Sequence, residues 1–207
     1  AIYNDGGLGG TSSPRVINAL FVGNTANAGG AIYNDGTDSG TTSPQITNAT
    51  FTGNTTSYGA IYNNGSRSPA GTSTPQITNT ILWENGNFEV YSDNALPQFS
   101  HTLVEGLDLT GSDNGPGNLD GTLPLVLFDD ASNLSGPDNV FGTADDGLRL
   151  ASGSPALGAG DDAAIGLTQD ITGAPRIQDG AVDLGAYEGS GNVDPAVTFY
   201  VDARATG

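Results

Sequence analysis

The stretch FDDASNLSGPDNVFGTADDG, residues 128–147, concentrates oxygen donors: Asp129, Asp130, Asp138, Asn139, Asp145 and Asp146. Hard cations such as Ca²⁺ take about six to eight oxygen ligands from flexible loops with glycine at the bends. These six residues are therefore candidate calcium ligands, with Ca²⁺ as the candidate cofactor. The spacing is not that of an EF-hand, which places acids at alternate positions before a glycine and a distant Glu. Asp and Asn also favour turns by bonding their own backbone. Both readings stand at this point.

A second group, Asp170, Arg176, Asp179, Asp183 and Glu188, gathers carboxylates near one cation. Paired carboxylates are the acid and base of glycosidases. Arg176 is the only cation close to them, however, and DITGAPR reads as a turn pinned by an ion pair, so a structural role is expected. His101, the only histidine, falls at a core-like position in SHTLVEG; a buried, hydrogen-bonded ring is expected, and a Ser-His-Asp arrangement has no support. Trp83 follows the core position Leu82 and should point outward, packing under a neighbouring loop in preference to stacking on a sugar. No phosphate loop, zinc set or cofactor motif is present, and catalytic residues are not assigned.

The elements that position these groups are written as repeats. AIYNDG occupies residues 1–6 and 31–36, and AIYNNG residues 60–65; PRVINALFVGN, PQITNATFTGN and PQITNTILWEN start at Pro14, Pro44 and Pro75. A repeat of about thirty residues is the spacing of a solenoid. In each copy a β-branched residue (Val16, Ile46, Ile77) stands two before an asparagine (Asn18, Asn48, Asn79). A large apolar residue follows (Phe21, Phe51, Leu82), then a second asparagine (Asn24, Asn54, Asn85). Ile32 and Ile61 precede Asn34 and Asn63 in the same way. Period two with β-branched and aromatic residues specifies short strands. Stacked coils place like residues about 4.8 Å apart. Apolar columns then fill a narrow core, and the eight asparagines are expected to form amide ladders at its corners.

These phrases resemble the secreted right-handed parallel β-helix repeat proteins of bacteria. The residues that carry the resemblance are GGAIYN, I-x-N-x-x-F-x-x-N, SHTLVEG, and the later GLRLASGSPALGAGD and DITGAPRIQDGAVDLGAYE. The resemblance implies an all-β, right-handed parallel β-helix of about seven coils. Residues 1–106 would be its regular repeats, 107–188 its less regular acidic closing coils, and 189–207 an extended linker or strand. It also implies that GPD-x-x-FGTADDG is a calcium loop. It implies no activity, because the fold serves lyases, adhesins and inert stalks alike. The β-helix lyases use a Lys or Arg base; this chain has no Lys, and its five Arg are scattered over different coils. Of the motif series of the β-helix hydrolases, only the DD pairs occur.

The net charge is −18, from 23 Asp and Glu against five Arg. Such a chain has no basic patch to displace counterions from nucleic acid, and anionic membrane surfaces are disfavoured likewise. No apolar run approaches the roughly 20 residues of a membrane span. Without Cys there is no disulfide framework and no thiol chemistry. The expected role is an extracellular, cell-surface structural or adhesive protein: a stalk, fibre subunit or surface-binding module, and not an enzyme. The alternative is a calcium-dependent polysaccharide-binding or polysaccharide-cleaving β-helix. The expected partners are a second copy in head-to-tail assembly or an adjoining domain of the same protein, with a polysaccharide or cell surface as the surface met. TFYVDARATG resembles the opening strand of a further β-helix domain. Phe199, Tyr200 and Val201 are accordingly the candidate inter-subunit strand.

Overall fold

The computed structural model describes residues 2–66, 69–110, 115–178 and 180–189. The regular part consists of parallel strands repeated along the chain. The first coil holds β1 (Ile2–Asp5), β2 (Thr11–Ser12) and β3 (Arg15–Val22), and the second β4 (Ile32–Asp35), β5 (Thr41–Thr42) and β6 (Gln45–Thr52). The third holds β7 (Ile61–Asn64), β8 (Thr72–Ser73) and β9 (Gln76–Trp83), after which β10 (Val90–Asp93) and β11 (Gln98–Val104) begin a fourth. Each strand pairs with its counterpart one coil away, giving sheets ordered β1-β4-β7-β10, β2-β5-β8 and β3-β6-β9-β11. The register joins like to like: Tyr3 to Tyr33 to Tyr62 to Tyr91, and Phe21 to Phe51 to Leu82 to Val104. The chain is therefore an all-β parallel solenoid.

The long strands β3, β6 and β9 each bend at an asparagine in the left-handed region, with φ of 49° at Asn18, 52° at Asn48 and 50° at Asn79. Asparagine tolerates that conformation because its short amide bonds locally. Before the bend Val16, Ile46 and Ile77 face the interior; after it Phe21, Phe51 and Leu82 do. The rings of Phe21 and Phe51 lie 4.5 Å apart and 5° from parallel. The turns between the AIYN strands and the next short strands are packed as closely as the strands. A Cβ on Gly71 would lie 1.6 Å from the Gly36 carbonyl oxygen, so only glycine lets these coils meet.

The coil count differs from the sequence expectation: about three turns are built, not seven. After β11 no further strand is formed among the described residues, only isolated antiparallel bridges such as Phe128 with Leu150 and Gln169 with Pro175. The chain instead runs back over the outside of β3, β6 and β9. Asp161 meets Asn79, Gln169 meets Asn18, and the Ala186 amide donates to Thr50 Oγ1 at 3.0 Å. A physical reason is visible in the strands themselves. Beyond the bend β3, β9 and β11 are apolar on both faces, as strands buried on both sides are, while β6 turns Thr50 and Thr52 outward. Phe51 and Leu82 fill the lumen, while Ile81, Trp83 and Leu103 point outward into a second core with Leu127, Phe128, Leu148, Leu150, Leu184 and Tyr187. Covering each such side chain contributes roughly 1.5–3 kcal/mol, and a further coil would leave them wet.

Candidate functional site

The sheet β1-β4-β7-β10 carries the surface with the most chemistry. Alternation along IYND, IYND, IYNN and VYSD turns the first and third residues inward and the second and fourth outward. Inside, Asn4 donates to Asn34 at 2.6 Å, Asn34 to Asn63 at 2.7 Å, and Asn63 to the Ser92 hydroxyl at 3.2 Å. Outside stand two columns, the tyrosines and the acids. Ring centroids are 5.1 Å apart for Tyr3 and Tyr33, 4.8 Å for Tyr33 and Tyr62, and 5.5 Å for Tyr62 and Tyr91. Two aromatics from the preceding turns lean on this ladder edge-on: Tyr58 at 5.4 Å from Tyr91 and Phe88 at 5.8 Å from it. Both are about half exposed, at 49% and 50%, and Tyr3 is 59% exposed. Beside the rings runs the column Asp5, Asp35, Asn64 and Asp93.

The columns are tied across coils. Tyr3 Oη donates to Asp35 Oδ2 at 2.6 Å, and Asn64 Nδ2 donates to Tyr33 Oη at 3.0 Å. That bond to a carboxylate, with some burial, holds the Tyr3 hydroxyl well above its usual range. Burial raises Tyr62. Both phenols are neutral donors at any physiological pH. Sequence reasoning missed these tyrosines; the period of two that turns Ile32 and Asn34 inward is the signal that would have turned Tyr33 outward, and the stacking follows only once the register is known.

A second amide ladder lies just past the ends of β3, β6 and β9. Asn24 donates N and Nδ2 to Asn54 Oδ1 at 3.1 and 2.9 Å, and Asn54 does the same to Asn85 Oδ1 at 3.1 and 2.6 Å. Glu89 accepts from Asn85 at the end of the run. Asn18, Asn48 and Asn79 are stacked as well, but the bonds seen for their side chains run to the returning segment. Asn18 donates to the Gln169 carbonyl, Asn79 Oδ1 accepts from the Asp161 amide at 2.7 Å, and the Asn48 amide, oriented with its oxygen toward the guanidinium, accepts from Arg176. His101 takes the same position in the fourth coil, with φ of 45° and the residues on either side paired to those flanking Asn79. It is half-buried, and its Nδ1 has no hydrogen-bond partner. The expected hydrogen-bonded ring is not seen at that atom.

The acidic loops 129–146 are spread out. Asp130 accepts from the Ser132 amide and hydroxyl, which lowers its pKa; Asp138 accepts from the Val140 amide, and Asp145 from Thr143 Oγ1. Asp129 is exposed, and Asn139 occupies the left-handed region with φ of 57°. Asp146 is buried beneath them, accepting from the Gly142 and Thr143 amides and from the Tyr187 hydroxyl. Among the described residues no three His, Cys, Asp or Glu side chains converge as a metal site would require. Each loop acid for which a bond is seen caps a turn of its own loop, and Asp146 also accepts from the Tyr187 hydroxyl.

Arg176 is almost fully buried, its guanidinium donating to the Ala186 and Gly185 carbonyls and lying 3.9 Å from Glu188. Asp170 and Asp183 accept backbone amides around it. Burial pushes Glu188 up to about 7 and lowers Arg176. The cluster locks the returning segment and presents nothing to solvent. Asp179 lies outside the described residues, as do Phe199, Tyr200 and Val201. Trp83 points away from the lumen as expected and is 9% exposed in the outer core, lining an open pocket with residues 121–124. A polar groove beside residues 163–166, lined by Arg15, Gln45, Thr47, Gln76 and Thr78, contains no carboxylate pair. Compared with protein-family models, curated proteins and solved structures, the chain matches none.

Proposed function

We propose that the protein is an extracellular structural or adhesive β-solenoid of the secreted bacterial right-handed parallel β-helix type. In this role it serves as a stalk, fibre subunit or surface-binding module. The observation that carries this reading is the outward-facing column Tyr3, Tyr33, Tyr62 and Tyr91, flanked by the exposed Tyr58 and Phe88. A periodic flat surface suits contact with another extended object, and exposed aromatic patches mark interaction surfaces. The right-handed sense is the general preference of parallel crossovers. Head-to-tail assembly is supported by β1, β2 and β3, each of which lies at one end of its sheet. Such an edge accepts a further strand, whether from the same chain or from a neighbour. A contact of that kind between unlike surfaces does not close on itself and builds a filament.

Negative-stain micrographs across a concentration series test the assembly. Filaments that lengthen with concentration are expected, and uniform short particles at every concentration overturn it. Release of unsaturated or reducing sugar from acidic polysaccharides would overturn the non-catalytic reading.

A further inference from the structure

The outward face of β1, β4, β7 and β10 has three parallel columns: corner aromatics, stacked tyrosines, and acids. Their chemistry differs. The tyrosine rings of the ladder spend most of their faces on one another, as two stacked pairs, within 23° for Tyr3 with Tyr33 and 15° for Tyr62 with Tyr91, that meet at 51° between Tyr33 and Tyr62. Apart from Tyr3 at its end, the ladder therefore offers solvent chiefly ring edges. Tyr58 and Phe88 are different. They meet the ladder at 73° and 61° and are half exposed, so they supply free aromatic surface at one margin. At the other margin Asp5 and Asp93 are exposed.

Charge decides the class of occupant. The four strands contain no Lys, Arg or His, and the chain as a whole carries −18. A polyanion approaching the acid column is repelled, whereas ammonium groups are drawn to it, both by the carboxylates and by the negative faces of aromatic rings. Periodicity decides its form. The tyrosines repeat in four successive coils, the acids in three of the four with Asn64 between them, and the corner aromatics in two; a row of like positions matches a ligand that also repeats, and a folded protein surface does not.

We propose that this face binds a polysaccharide bearing protonated amines. The polymer lies along the solenoid, with the apolar faces of its sugar rings over Tyr58 and Phe88 and its amines toward the column of Asp5, Asp35 and Asp93. The binding needs no metal. It rests on the surface-binding half of the function proposed above and assigns the chemistry of the surface that is met.

The test is co-sedimentation of the intact chain with particles of chitosan, the deacetylated glucosamine polymer. Chitin and pectate run in parallel, each polymer with and without chelator. Retention on chitosan is expected, unaffected by chelator and weakened by salt. The exposed pair Tyr58→Ser with Phe88→Ser should cut retention at least tenfold at an unchanged melting temperature. Asp5→Asn with Asp93→Asn should weaken it and flatten the salt dependence.

Equal retention of wild type and the Tyr58/Phe88 variant shows that bulk charge alone does the binding and overturns the proposal. Binding to chitin or pectate as strong as to chitosan also overturns it, as does an unchanged Asp5/Asp93 variant. Retention on none of the three polymers, with filaments still present in micrographs, overturns this proposal while leaving the assembly intact.

Discussion

Glu89 ends the buried ladder by standing in for the next asparagine: its carboxylate accepts both the backbone amide and the side-chain amide of Asn85. It is 7% exposed. Burial pushes its pKa up to about 7 from an ordinary 4.5, against the bonds from Asn85 and with the help of the Glu105 charge. The folded state thus holds a proton that the unfolded chain gives up near 4.5. Stability from this group is fully present below that value and is lost as pH rises to about 7. Glu188 acts in the same sense. The lowered carboxyls of Asp108 and Asp130 act oppositely, and only as pH falls below their ordinary range. The melting temperature should therefore fall between pH 5 and 7.5, by an amount worth on the order of 1–3 kcal/mol. Glu89→Gln, which preserves an acceptor, should remove part of that slope. A melting temperature that is flat or rises over this interval contradicts the burial assigned to Glu89.

Asn54 lies between its equivalents on both sides and also donates to the Phe21 carbonyl at 2.8 Å. Asn54→Ala should cost roughly 1–3 kcal/mol by leaving buried backbone groups without partners. Asn87, exposed on the following turn, provides the control. Asn64 would not, since its amide bonds Tyr33 and it is buried. Chemical denaturation of the two alanine variants decides the matter, and equal midpoints would refute the ladder.

Arg176 binds two carbonyls of the returning segment and, through Asn48, the second coil. Arg176→Ala should leave Glu188 buried without its counter-charge, at a cost of about 3–5 kcal/mol. Trp83, the only tryptophan, lies in the core that this segment covers. Its fluorescence should shift to the red in the variant, and limited proteolysis should begin within 150–178. An unmoved emission maximum would mean that the segment is held without Arg176.

A ligand that binds only the folded state at about 100 times its dissociation constant adds roughly 2.7 kcal/mol to stability. With the loop acids dispersed as they are, calcium at millimolar concentration should leave the melting temperature unchanged, and so should chelator. A calcium-dependent rise that vanishes in Asp145→Asn with Asp146→Asn would show that the loops rearrange into a site.

The core columns were legible in the sequence because like residues at coil spacing share one register: Ile46 beside Ile77, Phe51 beside Phe21. The outer core was written there too, in ALFV, TILW and TLV, where apolar residues occupy both faces beyond the bend. A solenoid strand facing water should alternate; these do not, and the expectation of seven stacked coils passed over that signal at Leu20, Ile81 and Leu103. The two kinds of asparagine could not be told apart by pattern. Asn54 is required for its amide and Asn48 first for its backbone angle, and one letter satisfies both needs. The acids of 129–146 were ambiguous for a similar reason, since an aspartate that caps a turn and one that awaits a cation occupy the same loops.

The returning segment touches the first coil at Asn18, the second at Asn48 and Thr50, and the third at Asn79. A bare stack of repeats is held by nearest neighbours and can nucleate anywhere or fray coil by coil from an end. With a strap across three coils, no coil can leave alone, and contacts such as that between residues 18 and 169 close only when most of the described chain is in place. Long-range closure of this kind slows folding. The protein should accordingly melt as a single cooperative unit and refold slowly, its coils idling as a loose stack until the strap arrives.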